Sequence, residues 1–314
     1  MDLSLMIEGQ EGVSWEQWVA LAHACEQHGI DTLFRSDHYM NLDGQHPERG
    51  SLDAWGTLCA LAAVTSTVRL GTMVSPATFR HPSELARLAT TADRISGGRI
   101  ELGLGAGWHQ REHEAHGFNY HDARTRMDIL EEQLQVVLGN WAAGPFDFSG
   151  DHYRIQELDA QPKPVQQPHP PLLMGGIAGP RGAALAARYA DEYNTVFPTL
   201  AEIRERRGRL EAASEKAGRT RPLPLSVMTL VLIGSDQSDL DARIARVAAA
   251  QGVSVQDFRA NINPAWVVGL VDDALEKLHA LAEAGVSRVM CQHLAHDDVE
   301  FVELLGRTVA PQLP

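Results

Sequence analysis

Short apolar runs alternate with longer amphipathic segments along almost the whole chain. The runs have the length and composition of buried β-strands, while the segments between them repeat apolar positions at helical spacing. Eight runs stand out, at residues 3–7, 32–34, 68–74, 99–105, 171–176, 193–197, 225–234 and 288–294. Strands that alternate with amphipathic helices are typical of a parallel sheet covered by helices.

The number of these units predicts the fold. Eight strand–helix units in 314 residues favour a closed (β/α)8 TIM barrel over an open sheet, with 1–314 as one domain. Two irregular stretches break the alternation and are expected to be loop insertions. Residues 142–171 are rich in Pro and Gly, and residues 253–269 are interpreted as a lid at the barrel mouth. Ser14 and Gln17 predict a capping box at the first helix.

Composition and charge narrow the class of partner. The chain is 44% hydrophobic and 22% charged, as in a globular protein, and its net charge of −14 disfavours nucleic acids and anionic membranes. Three widely spaced cysteines predict neither a disulfide framework nor a cysteine zinc site. The N-terminus lacks a basic flank, and no apolar run approaches the ~20 residues of a membrane span. A cytoplasmic protein without a signal peptide is therefore expected.

The carboxyl ends of the strands hold the chemistry in a barrel of this kind, and four of these ends are unusual. The second predicted strand runs into Asp37 and His38. His38 suits proton transfer because the ordinary pKa of histidine is near neutrality, although a capped turn with a surface histidine also explains this dipeptide. The other three ends read GTMVSPATFRHP (71–82), GLGAGWHQREHEAHG (103–117) and MGGIAGPRGA (174–183).

Glycines are concentrated at two of these ends. Those at 103, 105 and 107 would let the backbone approach a flat ligand closely. Those at 175, 176 and 179 open a helix whose N–H groups could bind an anion. The alternative is that both sets only form tight turns between strand and helix. GLGAGW is not the Rossmann fingerprint, because its third glycine is missing.

Three histidines, His109, His113 and His116, lie close together at the fourth strand end. The first two are four residues apart, which would suit a metal site on a helix. The spacing of the zinc-protease motif is absent, however, so a polar turn near the barrel rim is expected and a metal site is not.

Together, the four strand ends resemble the luciferase-like monooxygenase superfamily, and in particular its oxidoreductases that depend on the deazaflavin coenzyme F420. The resemblance covers nearly the whole chain and rests on SDHY, RLGTMVSPATFRHP, SGGRIELGLGAGWHQREHEAHG and KPVQQPHPPLLMGG. It implies that F420 lies at the barrel mouth and exchanges a hydride with a small organic substrate. Lysines are few, which disfavours a sugar phosphate. An apolar pocket for an apolar substrate could be formed by five residues, although each of them could belong to the core instead: Met40, Trp108, Phe197, Met228 and Trp266.

The resemblance also implies the roles of individual residues. Asp37 and His38 occupy the catalytic positions, with His38 beside the cofactor ring, where it handles the accompanying proton. A non-proline cis peptide at Met73–Val74 or Val74–Ser75 would support the back of the ring. The loops that bind the phosphate side would consist of Ala106, Gly107, Trp108 and Arg111, and of Gly175, Gly176, Ile177 and Gly179. Trp108 stands where glucose-6-phosphate-oxidising relatives have an acidic glutamate, so the position of that acid is open.

Other functions are compatible with the same barrel. An FMN-dependent monooxygenase would use reduced flavin and O2, with Arg111 and Arg181 as the nearby cations for the FMN phosphate. A non-catalytic flavin- or deazaflavin-binding protein is a second alternative, and a metallohydrolase built on the three histidines is a third. Homodimers are common among the relatives and are the candidate assembly.

Overall fold

The structure is a computed structural model that describes residues 1–42, 44, 46 and 48–314. Its strands, in chain order, are β1 (Asp2–Ile7), β2 (Thr32–Arg35), β3 (Arg69–Thr72), β4 (Ser75–Pro76), β5 (Ile100–Gly105), β6 (Phe146–Ser149), β7 (Arg154–Leu158), β8 (Leu172–Gly175), β9 (Glu192–Val196), β10 (Leu225–Gly234), β11 (Val267–Leu270) and β12 (Val286–Gln292).

The helices lie between these strands. They are α1 (Trp15–His28), α2 (Ala54–Val64), α3 (Pro82–Ser96), α4 (Gln110–His116), α5 (Ala123–Trp141), α6 (Pro180–Tyr189), α7 (Leu200–Lys216), α8 (Gln237–Ala250), α9 (Val255–Ala260), α10 (Val271–Glu283) and α11 (Val299–Leu304). Ser14 and Gln17 form the expected capping box at the start of α1. Among the described residues, no helix is both long enough and apolar enough to cross a membrane.

Eight of the strands form a closed parallel barrel. Their order is β1, β2, β3, β5, β8, β9, β10 and β12, and β12 pairs with β1 to close the ring. Each of the eight predicted apolar runs overlaps one of these strands, so the (β/α)8 fold is confirmed. β4 follows the end of β3 and pairs with β5, which continues the wall of the barrel towards its mouth.

Apolar side chains fill both the inside of the barrel and the layer between barrel and helices. The inner cluster consists of Met6, Phe34, Met73, Leu173, Met228 and Met290. Four of these six are methionines, whose unbranched side chains fill an irregular interior well. Trp18 and Trp55 are fully buried in the outer layer. Burial of each large apolar side chain stabilises the fold by about 1.5–3 kcal/mol.

The two irregular stretches contain more regular structure than expected. The first holds the antiparallel hairpin of β6 and β7. The second holds α9 and β11, and β11 pairs in parallel with the outer half of β10, from Val231 to Gly234. These stretches are therefore structured additions to the barrel, because their backbone groups are paired in the hairpin and along the edge of β10.

Candidate active site

His38 follows β2, and a buried carboxylate holds its ring. Nδ1 of His38 lies 2.7 Å from Oε2 of Glu112, and the other carboxylate oxygen accepts the Tyr39 backbone N–H at 2.6 Å. Glu112 is 0% exposed and belongs to α4, a helix where the sequence predicted a polar turn. Among the described residues, none is hydrogen-bonded to His38 Nε2, so this nitrogen is available to a ligand.

The two members of this dyad shift each other's pKa. Burial alone would lower the pKa of His38, but the hydrogen bond and the negative charge of Glu112 outweigh it and raise the pKa. Burial would raise the pKa of Glu112, yet His38 and the N–H groups of Tyr39 and Met40 lower it. The dyad therefore favours the protonated imidazole and the ionised carboxylate more strongly than solvent would.

Asp37 points away from this dyad and is buried, with 1% exposure. Its carboxylate accepts hydrogen bonds from Arg80 at 2.6 Å and from Ser75 Oγ at 2.5 Å. Arg80 also donates to the Tyr39 hydroxyl at 2.8 Å. The adjacent residues Asp37 and His38 thus have different surroundings: Asp37 ties the end of β2 to β4, while His38 remains accessible.

The Met73–Val74 peptide bond is cis, at one of the two expected positions. The side chain of Val74 lies against three glycines of the neighbouring strands. A Cβ would fall 2.7 Å from Val74 Cγ2 if built on Gly105, and 2.9 Å from Val74 Cγ1 if built on Gly103. A Cβ built on Gly175 would lie 3.3 Å from Val74 Cγ1. Gly105 therefore makes room for Val74, whereas a Cβ on Gly103 would clash first with the Thr72 carbonyl oxygen. The expectation that these glycines let a ligand approach the backbone stays a prediction.

The two predicted phosphate-side loops both expose a large apolar side chain. Trp108 is 61% exposed and Ile177 is 69% exposed. The Trp108 ring lies edge-on to the His38 ring, with 5.9 Å between their centroids. The loop 106–108 is therefore a direct neighbour of the dyad.

The second loop leads into the N-terminus of α6. Gly179 is the N-cap, no side chain caps the helix, and a Cβ on Gly179 would meet no atom within 4 Å. An uncapped helix N-terminus beside open space suits a phosphate group, because its backbone N–H groups and the helix dipole favour an anion.

Arginines lie near both loops, but their charges differ in availability. Arg181 pairs with Asp128 at 2.6 Å and with Glu131 at 2.9 Å, so its charge is already balanced. Arg126 donates from Nε to the carbonyl of Gly107 at 3.0 Å and was missed by sequence reasoning. Its position in the first turn of α5, directly after the glycine loop and α4, is the signal that could have pointed to it.

The three histidines do not form one cluster. His113 is buried, with Nδ1 2.8 Å from the carbonyl of His109 and Nε2 2.6 Å from Thr78 Oγ1. His116 is exposed and packs against Tyr39. His109 lies near the dyad, with 6.2 Å between its ring centroid and that of His38. Within the described part of the chain, no group of three or more potential ligands is placed to hold a metal ion.

A cavity of about 540 Å³ lies at the mouth beside the ends of β1, β9 and β12. Phe197 and Trp266, two of the predicted apolar pocket residues, line it, whereas Met228 belongs to the inner core. Its polar lining includes Glu8, which the sequence did not single out. Among the described residues, those predicted to hold the cofactor do not line this cavity, but Glu8 on its wall is close enough to His38 for its charge to help raise the pKa of that histidine.

Comparison with known proteins links this geometry to a family. A family described as luciferase-like monooxygenase matches residues 4–266. The pyrimidine monooxygenase RutA of Stutzerimonas stutzeri (strain A1501) is 30% identical over 300 residues, which are 83% of this chain and 78% of that protein. The match to RutA of Cronobacter sakazakii (strain ATCC BAA-894) is 33% identical over 199 residues, which are 62% of this chain. In that comparison the chain spans only 56% of the length of its relative.

Solved structures share the fold over the full chain. An F420-dependent secondary alcohol dehydrogenase in complex with an F420–acetone adduct superposes with a TM-score of 0.83 at 19% identity, covering 100% of this chain and 99% of that one. The oxygenating constituent of 3,6-diketocamphane monooxygenase from Pseudomonas putida, in complex with FMN, gives 0.78 at 21% identity, covering 100% and 99%. At these identities the likeness establishes the barrel, which is common to enzymes of both cofactors.

Proposed function

The chain belongs to the luciferase-like monooxygenase family, and from this premise we propose that it is an F420-dependent oxidoreductase. Its substrate is a small organic molecule that exchanges a hydride with the deazaflavin. The His38–Glu112 dyad carries this proposal, because transfer of a hydride to a carbonyl or imine carbon must be matched by a proton on the heteroatom. A histidine kept protonated by a buried carboxylate supplies that proton.

The residues of the mouth fit a deazaflavin. When bound, the deazaflavin supplies the two-electron chemistry, and the protein supplies orientation and electrostatics. Met73, Val74 and Ser75 support the ring, and the phosphate side is held by the two loops. These loops contribute Ala106, Gly107, Trp108 and Arg111, and Gly175, Gly176, Ile177 and Gly179. The uncapped start of α6 receives the phosphodiester, which carries one negative charge.

Two carboxylates have separate tasks in this scheme. Glu112 orients the His38 ring and stabilises its protonated form, so that Nε2 can donate a proton to the substrate or accept one from it. Asp37 is a positioning residue: through Arg80 and Ser75 it fixes the segment that places His38.

An FMN-dependent monooxygenase is the second candidate function. The names of the RutA relatives favour it, since both are monooxygenases. The terminal phosphate of FMN carries more negative charge than a phosphodiester and would need an available cation. Of the two candidate cations, Arg181 is already paired with Asp128 and Glu131, so Arg111, in α4, is the other candidate. A phosphodiester with a single charge makes the smaller demand on one arginine, which favours F420.

The test is a parallel titration of the purified chain with oxidised F420 and with FMN, followed by fluorescence. We expect F420 to bind at least about tenfold more tightly than FMN. His38→Ala serves as the matched variant, and its affinity for F420 should be unchanged. Preference for FMN, together with O2 consumption by the reduced flavin complex, would move the chain to the monooxygenase branch. Binding of neither cofactor would contradict both candidates.

A further inference from the structure

We propose that the 540 Å³ cavity is the substrate site and that it selects uncharged or cationic molecules with an N–H donor over carboxylates and phosphates. This inference rests on the proposed function only in identifying the bound molecule as the substrate. It names the chemical class of substrate that the oxidoreductase would take.

Glu8 is the acceptor on which this selection depends. Each of its carboxylate oxygens receives one hydrogen bond from a neutral amide: Gln10 at 2.9 Å and Gln292 at 2.8 Å. A carboxylate can accept about four hydrogen bonds in total, so Glu8 retains capacity for a donor on a ligand. The two amides fix the orientation of the carboxylate without neutralising its charge. A ligand N–H would therefore meet a preorganised acceptor.

The charges around the cavity favour the same class of molecule. Arg49 pairs with Glu11 at 2.9 Å, so these two charges balance each other. Burial lowers the pKa of His296 to about 4, which leaves this lining residue uncharged at neutral pH. The charge of Glu8 acts on the adjacent dyad, where it helps to raise the pKa of His38. Among the described residues, the two lining carboxylates, Glu8 and Glu11, thus outnumber the one lining arginine, Arg49, and an anionic ligand would add to this excess of negative charge.

The apolar side of the cavity suits a ring-sized body. Phe197 and Trp266 lie edge to face, with 6.5 Å between their centroids. Phe197 has φ of +46°, a left-handed conformation that a phenylalanine rarely adopts. Residues in such conformations cluster at ligand sites. The cavity volume also lies within the range of about 300–1,000 Å³ typical of small-molecule sites.

Three probes of nearly equal shape test the proposal: benzamidine is a cation with N–H donors, benzamide is neutral with N–H donors, and benzoate is an anion without them. Each is titrated by calorimetry against the full chain purified without added cofactor. We expect benzamidine and benzamide to bind, and benzoate to bind at least about tenfold more weakly. In Glu8→Gln, benzamidine should lose about tenfold in affinity. Glu276→Gln, an exposed glutamate on α10, is the matched control and should bind all three probes as the original chain does.

The order of affinities in the unmodified chain already tests the idea if Glu8→Gln fails to fold. Equal affinity for the three probes, tighter binding of benzoate, or no binding of benzamidine would overturn the proposal, as would a folded Glu8→Gln with unaltered preferences. Because no cofactor is present, these outcomes are independent of the choice between F420 and FMN. A failed cofactor titration would likewise leave the probe affinities interpretable.

Discussion

The two ends of the barrel both carry buried charges, but only one end leaves hydrogen-bonding capacity free. At the floor, which is the end of the barrel opposite the mouth, Arg288 of β12 donates to Glu101 at 2.9 Å and to Glu192 at 2.6 Å. Arg69 completes the network with a bond of 2.6 Å to Glu101. At the mouth, by contrast, Nε2 of His38 has no partner among the described residues, and Trp108 is 61% exposed.

This difference means that the charges at the floor stabilise the fold, whereas the dyad at the mouth can take part in a reaction. The floor network holds its charges in fixed pairs, and Arg288 also lies over the Phe34 ring, 4.9 Å from its centroid. Burial would raise the pKa of both floor carboxylates; the cations outweigh burial at Glu101, whose pKa is lowered, but not at Glu192, whose pKa is raised. Every charge at the floor is tied to its neighbours, whereas the dyad at the mouth has one side tied and the other available. The paired network at the floor stabilises the fold, and the dyad can react because one side of His38 is unpaired among the described residues.

The largest effect is expected from His38→Ala, which removes the available group at the mouth. Turnover of the F420-linked reaction should fall by about 10²–10⁴-fold, because a general acid–base is lost. His152→Ala, at an exposed histidine in the β6–β7 turn, is the control and should leave turnover unchanged. The rate of cofactor oxidation measures both. Full turnover in folded His38→Ala would exclude the proposed proton role.

Arg288→Ala tests the network of charges at the floor. Glu192 loses its arginine partner and Glu101 keeps only Arg69, so we expect the free energy of unfolding to fall by about 3–5 kcal/mol in urea titrations. F420 affinity of the remaining folded protein should be unaltered, since the floor is far from the mouth. Arg307→Ala removes an exposed pair with Glu303 and should cost less than about 1 kcal/mol. Equal losses in the two variants would contradict the structural role given to the floor.

Glu112→Gln should have the smallest effect on turnover at the pH optimum. Its effect should be visible in the pH dependence of the rate. Without the carboxylate, the pKa of His38 falls, so the limb of the pH–rate profile that reports His38 should move to lower pH. Glu114→Gln, an exposed neighbour on α4, is the control. An unmoved limb in Glu112→Gln would remove Glu112 from the dyad.

The same variant has a predictable effect on stability. The pKa of His38 is raised above 6.5, so its contribution is full below pH 6.5 and is lost as the pH rises through the raised value. The pKa of Glu112 is lowered from 4.5, so its contribution is present above pH 4.5 and is lost as the pH falls through the lowered value. The original chain should therefore exceed Glu112→Gln in stability most clearly between pH 4.5 and the raised pKa of His38. Urea titrations across pH measure this window.

Local patterns in the sequence were sufficient for the barrel but not for the contacts across its mouth. Each strand is specified by its own apolar residues, and helix starts such as Asp122 are specified by side chains within one turn. The partner of His38 lies 74 residues away, on a short helix that reads as a polar turn because five of its seven residues are charged or histidine. Which of those side chains turns inward depends on packing that no local pattern encodes.

The glycines show the same limit. Their number at the strand ends was visible, but Gly105 is required by the side chain of Val74, which lies in the segment between β3 and β4. The opposite directions of Asp37 and His38 followed from the extended backbone, whereas the pairing of Asp37 with Arg80 did not. Spacing predicts which residues share a strand end, and tertiary packing decides which of them meet.

The hydrogen bond between Glu8 and Gln292 joins residues 284 positions apart, one just after the first strand of the barrel and one at the end of the last. This wall of the cavity therefore forms only when the ring of strands is closed. During synthesis, a chain whose last strand is still inside the ribosome cannot offer this site. A ligand of the cavity binds the closed barrel and not its open precursors, so it would raise the free energy of unfolding by RT ln(1 + [L]/Kd).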